Sequence, residues 1–321
     1  MSATSDRTEW LERRRQGIGG SDVAAILGLS PWGSPWSVWA DKTGLTPIDD
    51  RDNVTDDMEF GTRAEPMLTK WFQDRTGLLV AGEQMELSHP DKPWMKCTAD
   101  GFVFDNEFDH FSLDNALGIV EHKKTADHAD KWAEQIPFHY QCQAQWMLAI
   151  TGLPVVWFSV LHVPFGRTTY ATYRFERDDT DIEHITSTCE RFWTDRVLTG
   201  TPPPTDGSTA TTEALATAWD DTTDEPVELD DAIRRIVADL ADVKATIKRL
   251  EADKAEAENA IKAALADHET GTADGWKVSW KPQTRSAIDA KALRAEMPDV
   301  ADKFTRETSS RVLRITPPKE S

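Results

Sequence analysis

The sequence predicts an α/β fold, a mixed central β-sheet flanked by helices, followed by a helical, coiled-coil-like segment and a small α+β tail. Three observations carry this. Helix-like and strand-like stretches alternate before residue 200 in the order helices, strands, helix, strands, helix. Tryptophan and phenylalanine concentrate in the same region, enough to fill a large core. A run of Pro, Thr, Gly and Ser, TGTPPPTDGSTATTE (199–213), then separates it from an apolar series with heptad spacing. The expected boundaries are 1–200 for the main domain, 201–222 for a linker, 223–270 for the heptad helix and 271–321 for the α+β segment.

In chain order, TEWLERRR reads as a helix. IGGSDVAAILG opens a second one, with Ser21 or Asp22 suited to the N-cap. PWSVWADKTG is a third, stopped at its Gly. EPMLTKWFQDRTG places Met67, Leu68, Trp71 and Phe72 on one face, with Pro66 in the first turn and Gly77 as terminator. Strands are expected at 97–105 and 118–123, a helix at 140–152, strands at 155–163 and 168–176, and a last helix in DIEHITSTCERFWTDRVL. Beyond the break, Leu229, Ile233, Ile236, Leu240, Val243, Ile247, Leu250, Ala257 and Ile261 step by four and three, with Lys254 in the one gap. Such a stripe needs covering by another chain, another helix or the main domain. Strand-like WKVSW (276–280), a short helix near 289–296 and strand-like SRVLRI (310–315) complete the chain.

Composition narrows the function classes. No apolar run approaches the length of about 18 residues needed to span a membrane, and MSATSDRTEWLERRRQG lacks the apolar stretch of a signal peptide. Cys97, Cys142 and Cys189 are odd in number and widely separated. They argue against a disulfide framework, a zinc site or an iron–sulfur cluster, and for a reducing cytoplasm. The net charge of −20 argues against a chain coated in basic surface for nucleic acid. It leaves room for a site where carboxylates hold a metal and a few local Arg and Lys hold phosphate.

GIVEHKKTA (118–126) is the most informative stretch. An apolar pair, Ile119-Val120, runs into Glu121, and strand alternation puts Glu121 and Lys123 on one face and His122 on the other. About twenty residues earlier lies TADG, with Asp100 before a Gly and a strand. Asp100, Glu121 and Lys123 would converge at one end of a sheet, with Glu65 from the preceding helix as a third carboxylate. Two interpretations stand. One is a turn Asp beside a surface ion pair. The other is a metal-dependent phosphodiesterase site, in which oxygen ligands hold Mg²⁺ or Mn²⁺ and the metal acidifies a water and neutralises phosphate charge.

Five segments in order add a further indication: WLERRRQGIGGSDVAAILGLSPWGSPWSVWADKTG, FGTRAEPML, HPDKPWMKCTADG, GIVEHKKTA and IPFHYQCQAQWMLAITG. Over roughly residues 10 to 200 the chain resembles the phage-type recombinase nucleases, the YqaJ and lambda-exonuclease group of the PD-(D/E)xK superfamily. The resemblance implies a restriction-endonuclease-like core with Asp100, Glu121 and Lys123 as its catalytic centre and Glu65 as the helix carboxylate. It implies Mg²⁺ (or Mn²⁺) held by Asp100, Glu121, Glu65 and the backbone carbonyl of His122, with Tyr140 and Gln143 beside the centre. Arg14 and Ser21 match the pair that holds a 5′-terminal phosphate in relatives; an Arg fork and a helix N-terminus both suit an anion. Read without the resemblance, Ser21 is an N-cap and Arg14 a surface charge. Lys124, a second lysine after the catalytic one, has no inherited role.

The function implied is a phage or prophage exonuclease in the cytoplasm of a bacterial host. It resects one strand of duplex DNA from a 5′ end and exposes a 3′ single strand. The implied partners are double-stranded DNA ends and a single-strand annealing protein or recombinase, with a homo-oligomer as a further option and no membrane. The alternatives are a related endonuclease or DNA-end processor, and a non-catalytic DNA-binding or scaffolding module on the same fold.

Overall fold

The computed structural model describes residues 3–48, 56–105, 111–165, 167–219, 223–306 and 311–316. The chain divides into two compact units, Met1–Asp221 and Thr222–Ser321. Among the described residues, no helix is long and apolar enough to cross a membrane.

In the first unit, helices α1 (Ala3–Arg15), α2 (Gly20–Ile26), α3 (Pro35–Lys42) and α4 (Asp56–Thr76) precede the strands. The main sheet holds β1 (Leu79–Ala81), β4 (Gly101–Phe104), β5 (Gly118–Thr125), β6 (Val155–His162) and β7 (Thr169–Glu176), in the order β1-β4-β5-β6-β7. Only β5 and β6 run parallel. Their crossover carries two helices, α5 (Ala129–Glu134) and α6 (Phe138–Thr151), because parallel neighbours need a long connection. A separate antiparallel pair, β2 (Met85–Ser88) and β3 (Lys96–Ala99), stands beside the main sheet. This is the mixed α/β core that the sequence predicted.

Both faces of the sheet are covered, and alternation along β5 decides what each face meets. Ile119 joins the large core with Trp146, Met147 and Phe158, on the side of α2 and α6. Val120 points the other way and joins Phe72 of α4 and Val103. Glu121 therefore falls on the α6 side and His122 on the α4 side, the arrangement on which the site depends.

Several local expectations are corrected. The stretch 97–105 is not one strand: it breaks at Asp100, so β3 and β4 lie in different sheets. Helix α4 begins at Asp56, which leaves Glu65 and Pro66 well inside it rather than in its first turn. Helix α2 is capped by Gly19, not by Ser21 or Asp22; the Asp22 side chain instead reaches back to accept from the Gly19 N–H at 2.9 Å. The short strands β1 and β2 were not foreseen.

The Pro- and Thr-rich stretch also contains helix α8 (Thr209–Ala218), which follows α7 (Asp179–Phe192) and packs on α3. The Thr211 hydroxyl donates to Ser34 Oγ at 2.7 Å, both side chains being buried, and Trp36 meets Trp219 with ring centroids 5.6 Å apart. A protein ending at Asp221 is thus expected to fold, whereas one ending near residue 205 strips α8 from α3. Losing the Thr211–Ser34 hydrogen bond and exposing Trp36 costs about 3 kcal/mol, or roughly 6–12 °C in Tm at this size. Thermal melting of the two truncations reads the difference; equal melting temperatures would remove α8 from the first unit's stability.

The second unit is built on α9 (Asp231–Leu265), 35 residues long, whose Asp230 cap accepts from the Ile233 N–H at 2.9 Å. At about 1.5 Å per residue it spans roughly 50 Å. The heptad residues remain uncovered: Ile236, Val243, Ile247 and Leu250 are all exposed. A hairpin of β8 (Thr270–Ala273) and β9 (Trp276–Ser279) follows, its two-residue turn formed by Asp274 and Gly275, both at positive φ. Asp-Gly suits such a turn because both central residues must be left-handed. Two short helices, α10 (Ala290–Glu296) and α11 (Pro298–Phe304), come next. The strand expected at 310–315 does not form in its described part, 311–315.

Candidate active site

The centre of the site is the β4–β5 edge where the strand from β3 breaks. Gly101 pairs with Val120 in the antiparallel ladder, so Asp100 and Glu121 stand one step beyond, at neighbouring positions. The main-chain N–H of His122 donates to Asp100 Oδ2 at 2.7 Å and fixes that carboxylate. Lys123 Nζ donates to Glu121 Oε1 at 2.7 Å, and Gln143 Nε2 donates to the same oxygen at 2.6 Å. Lys123 also donates to Gln143 Oε1 at 3.2 Å, closing a three-membered ring of hydrogen bonds. Tyr140, one turn before Gln143 on α6, places its ring 4.8 Å from the Lys123 ammonium.

The other oxygen of Glu121, Oε2, is buried and has no hydrogen-bond partner among the described residues. An unsatisfied buried carboxylate oxygen is costly unless something cationic meets it. Burial pushes the Glu121 carboxyl up to about 7, with Asp100 adding repulsion. Burial likewise raises Asp100 and Glu65. Burial alone would lower the Lys123 ammonium, but Glu121 and Asp100 together hold it above its ordinary value. The site therefore gathers more negative charge than one lysine balances, and its oxygen donors fit a hard divalent cation.

Glu65 reaches the centre through Gln84. Gln84 Nε2 donates to Glu65 Oε2 at 2.9 Å and to Asp100 Oδ1 at 3.3 Å, so an amide bridges the two carboxylates. Among the described residues, no three His, Cys, Asp or Glu side chains form a cage for a metal. Asp100, Glu121 and the His122 carbonyl remain as the compact donor set, and a Mg²⁺ ion commonly keeps waters in its other positions. Gln84 itself sits at φ 55°, a conformation costly for a residue with a side chain. Nothing in its sequence neighbourhood marked it.

The imidazole of His122 faces away, its Nε2 2.9 Å from Thr69 Oγ1 under α4. Burial drives its pKa down to about 4, so it is neutral. Lys124 shares that face, its ammonium 4.6 Å from the Phe60 ring.

Glu65, Gln84, Asp100, Glu121 and Gln143 line a cleft of about 550 Å³ that also reaches Arg14 and Ser21. Arg14 Nη2 donates to Ser21 Oγ at 2.6 Å. Arg14 is also held by Asp22, which the sequence marked only as a cap candidate. Asp22 accepts Lys42 Nζ at 2.7 Å and stands 3.4 Å from Arg14 Nη2. Burial alone would raise its carboxyl, but Lys42 and Arg14 hold it below its ordinary value. A buried anion thus anchors an arginine that lines the cleft. The helix N-terminus expected to help hold an anion is modified: its Gly19 N–H is taken by Asp22.

Residues 9–154 match the profile described as YqaJ-like viral recombinase domain. Over 310 residues, 95% of this chain and 92% of the other, the chain is 33% identical to the Bacillus subtilis (strain 168) protein described as "Uncharacterized protein YqaJ". Among solved structures, an alkaline exonuclease (LHK-Exo) from Laribacter hongkongensis is similar with a TM-score of 0.45 at 20% identity, covering 60% of this chain and 94% of that one. A phage related exonuclease from Haemophilus somnus 129PT is similar with a TM-score of 0.37 at 14% identity, covering 57% of this chain and 96% of that one.

Proposed function

The chain belongs to the YqaJ-like viral recombinase domain family, and from that premise we propose that it is a metal-dependent DNA exonuclease. It resects one strand of duplex DNA from the 5′ end, in a bacterial cytoplasm, and leaves a 3′ single strand for an annealing protein or recombinase. The observation that carries this is the unpartnered Oε2 of Glu121, buried beside Asp100 and Lys123 in a cleft that Arg14 and Ser21 also line.

Asp100, Glu121 and the His122 carbonyl would hold Mg²⁺ or Mn²⁺. The ion would supply an acidified water and neutralise charge on the scissile phosphate. The protein's own groups have separate tasks. Lys123, kept protonated by Glu121, presents N–H donors to the attacking water or to a phosphate oxygen. Gln143 holds Glu121 in place, and Tyr140 supports the ammonium from below. Gln84 keeps Glu65 within reach of Asp100. Arg14 and Ser21 receive the 5′-terminal phosphate. The exposed heptad stripe of α9 supports self-association through that helix.

End-labelled linear duplex incubated with Mg²⁺ or with EDTA tests the proposal: mononucleotide release with Mg²⁺ alone supports it, and full activity in EDTA sinks it. The two lysines of β5 give a sharper comparison. Lys123→Ala should slow cleavage about 10²-fold or more, as expected for loss of a donor to developing charge. Lys124→Ala should stay within a few-fold, because its ammonium lies on the α4 side of the strand. Equal impairment of both variants would remove Lys123 from the chemistry.

A further inference from the structure

The end of the chain reverses the charge of the rest. From Trp276 to Ser321 it carries ten Lys and Arg against six Asp and Glu, in a protein whose net charge is −20. Lys277, Lys281, Arg285, Lys291 and Arg294 are exposed and make no ion pair among the described residues.

Aromatic rings are interleaved with the cations. Trp276 and Trp280 are 77% and 50% exposed, large apolar groups that folding leaves in water. Along β9 and the residue after it, alternation gives them one face with Val278, while Lys277 takes the opposite one. The ribbon that displays them is fixed: its Asp274-Gly275 turn sets the register, and the Trp280 N–H donates to the Glu269 carbonyl at 2.8 Å. At its base, Gly271 lies so close to the buried Leu265 at the end of α9 that a Cβ would stand 2.9 Å from its Cδ2.

Single-stranded nucleic acid alternates phosphates with flat bases, and proteins that bind it without sequence preference combine cations with stacking aromatics. We propose that the β8–β9 hairpin and the segment through Arg294 bind single-stranded DNA. The choice of strand rests on the proposed resection, whose product is single-stranded. An acidic protein surface would also attract the cations, but stacking on the two exposed indoles calls for flat bases.

The test is fluorescence anisotropy of a labelled oligothymidylate with the full-length protein in EDTA, from 50 to 200 mM salt. Lys277→Gln/Lys281→Gln/Arg285→Gln should weaken binding ten-fold or more and lower the salt slope by about 2, at roughly 0.7 for each phosphate no longer neutralised. Trp276→Ala/Trp280→Ala should weaken binding ten-fold or more with the slope unchanged, and Trp276→Phe/Trp280→Phe should restore most of it. Wild-type affinity and slope in the triple cation variant would overturn the proposal and assign the cations to a protein partner. Because binding is read in EDTA, a full-length protein that binds but never cleaves counts against the nuclease alone.

Discussion

Asp100→Asn is expected to cut the cleavage rate about 10³-fold or more while leaving the protein folded, and Glu121→Gln to do the same. On the proposed assignment these carboxylates hold the cation that neutralises the transition state, a contribution of about 4 kcal/mol or more. The structure separates this from loss of fold. Asp100 is held above its ordinary pKa, mainly by burial. A carboxyl whose folded pKa is raised opposes folding at any pH above that value, where it must be buried charged. Removing that charge at neutral pH should therefore leave the metal-free Tm equal or higher, with Glu121 and Lys123 still paired at 2.7 Å. The wild-type protein should gain Tm on adding Mg²⁺, by mass action on the folded state, and Asp100→Asn should gain little. A variant that melts early, or that cleaves at the wild-type rate, would remove the two-carboxylate centre.

The parts of this site that the sequence showed are those governed by strand periodicity. Alternation in GIVEHKK placed Glu121 and Lys123 together and His122 behind, and the hydrogen bonds follow that division. Gln143 was named only through the family resemblance, and its hydrogen bond to Glu121 follows from α6 packing over the same sheet face. Gln84 could not: it lies in a turn between two short strands, and its place between Glu65 and Asp100 depends on a positive φ that no neighbouring residue signals. Asp22 was visible only as a local capping residue, since its partners, Lys42 and Arg14, come from separate helices. The break at Asp100 was hidden for a related reason. Asp100-Gly101 marks a turn inside CTADGFVFD, but only the tertiary arrangement assigns its halves to different sheets. The start of α4 was lost because Pro66 favours a first turn, a preference that the packing of Leu68 and Phe72 on the sheet overrides.

The strongest test of exonuclease against endonuclease lies at Arg14. If Arg14 and Ser21 receive a terminal phosphate, duplex with 5′-phosphate ends is degraded faster than duplex with 5′-hydroxyl ends. A hydrogen bond to a charged group contributes about 1.5–3 kcal/mol, so Arg14→Ala should slow digestion of phosphorylated ends by about ten-fold or more. Hydroxyl ends, which offer the arginine no terminal anion, should be digested nearly as before. The metal requirement should not change, since Arg14 hydrogen-bonds Ser21 and Asp22 and not the carboxylates of the centre. Asp22→Asn should give a weaker form of the same loss, because it frees Arg14 from its anchor while keeping the guanidinium. A different role for Arg14, as a general contact to the DNA backbone, predicts that both substrates slow equally and that the salt dependence flattens. Closed circular duplex has no end to hold, and the wild-type protein should leave it intact. If it cuts circles as readily as linear duplex, the phosphate pocket and the exonuclease assignment fail together, while the carboxylate centre survives as that of an endonuclease.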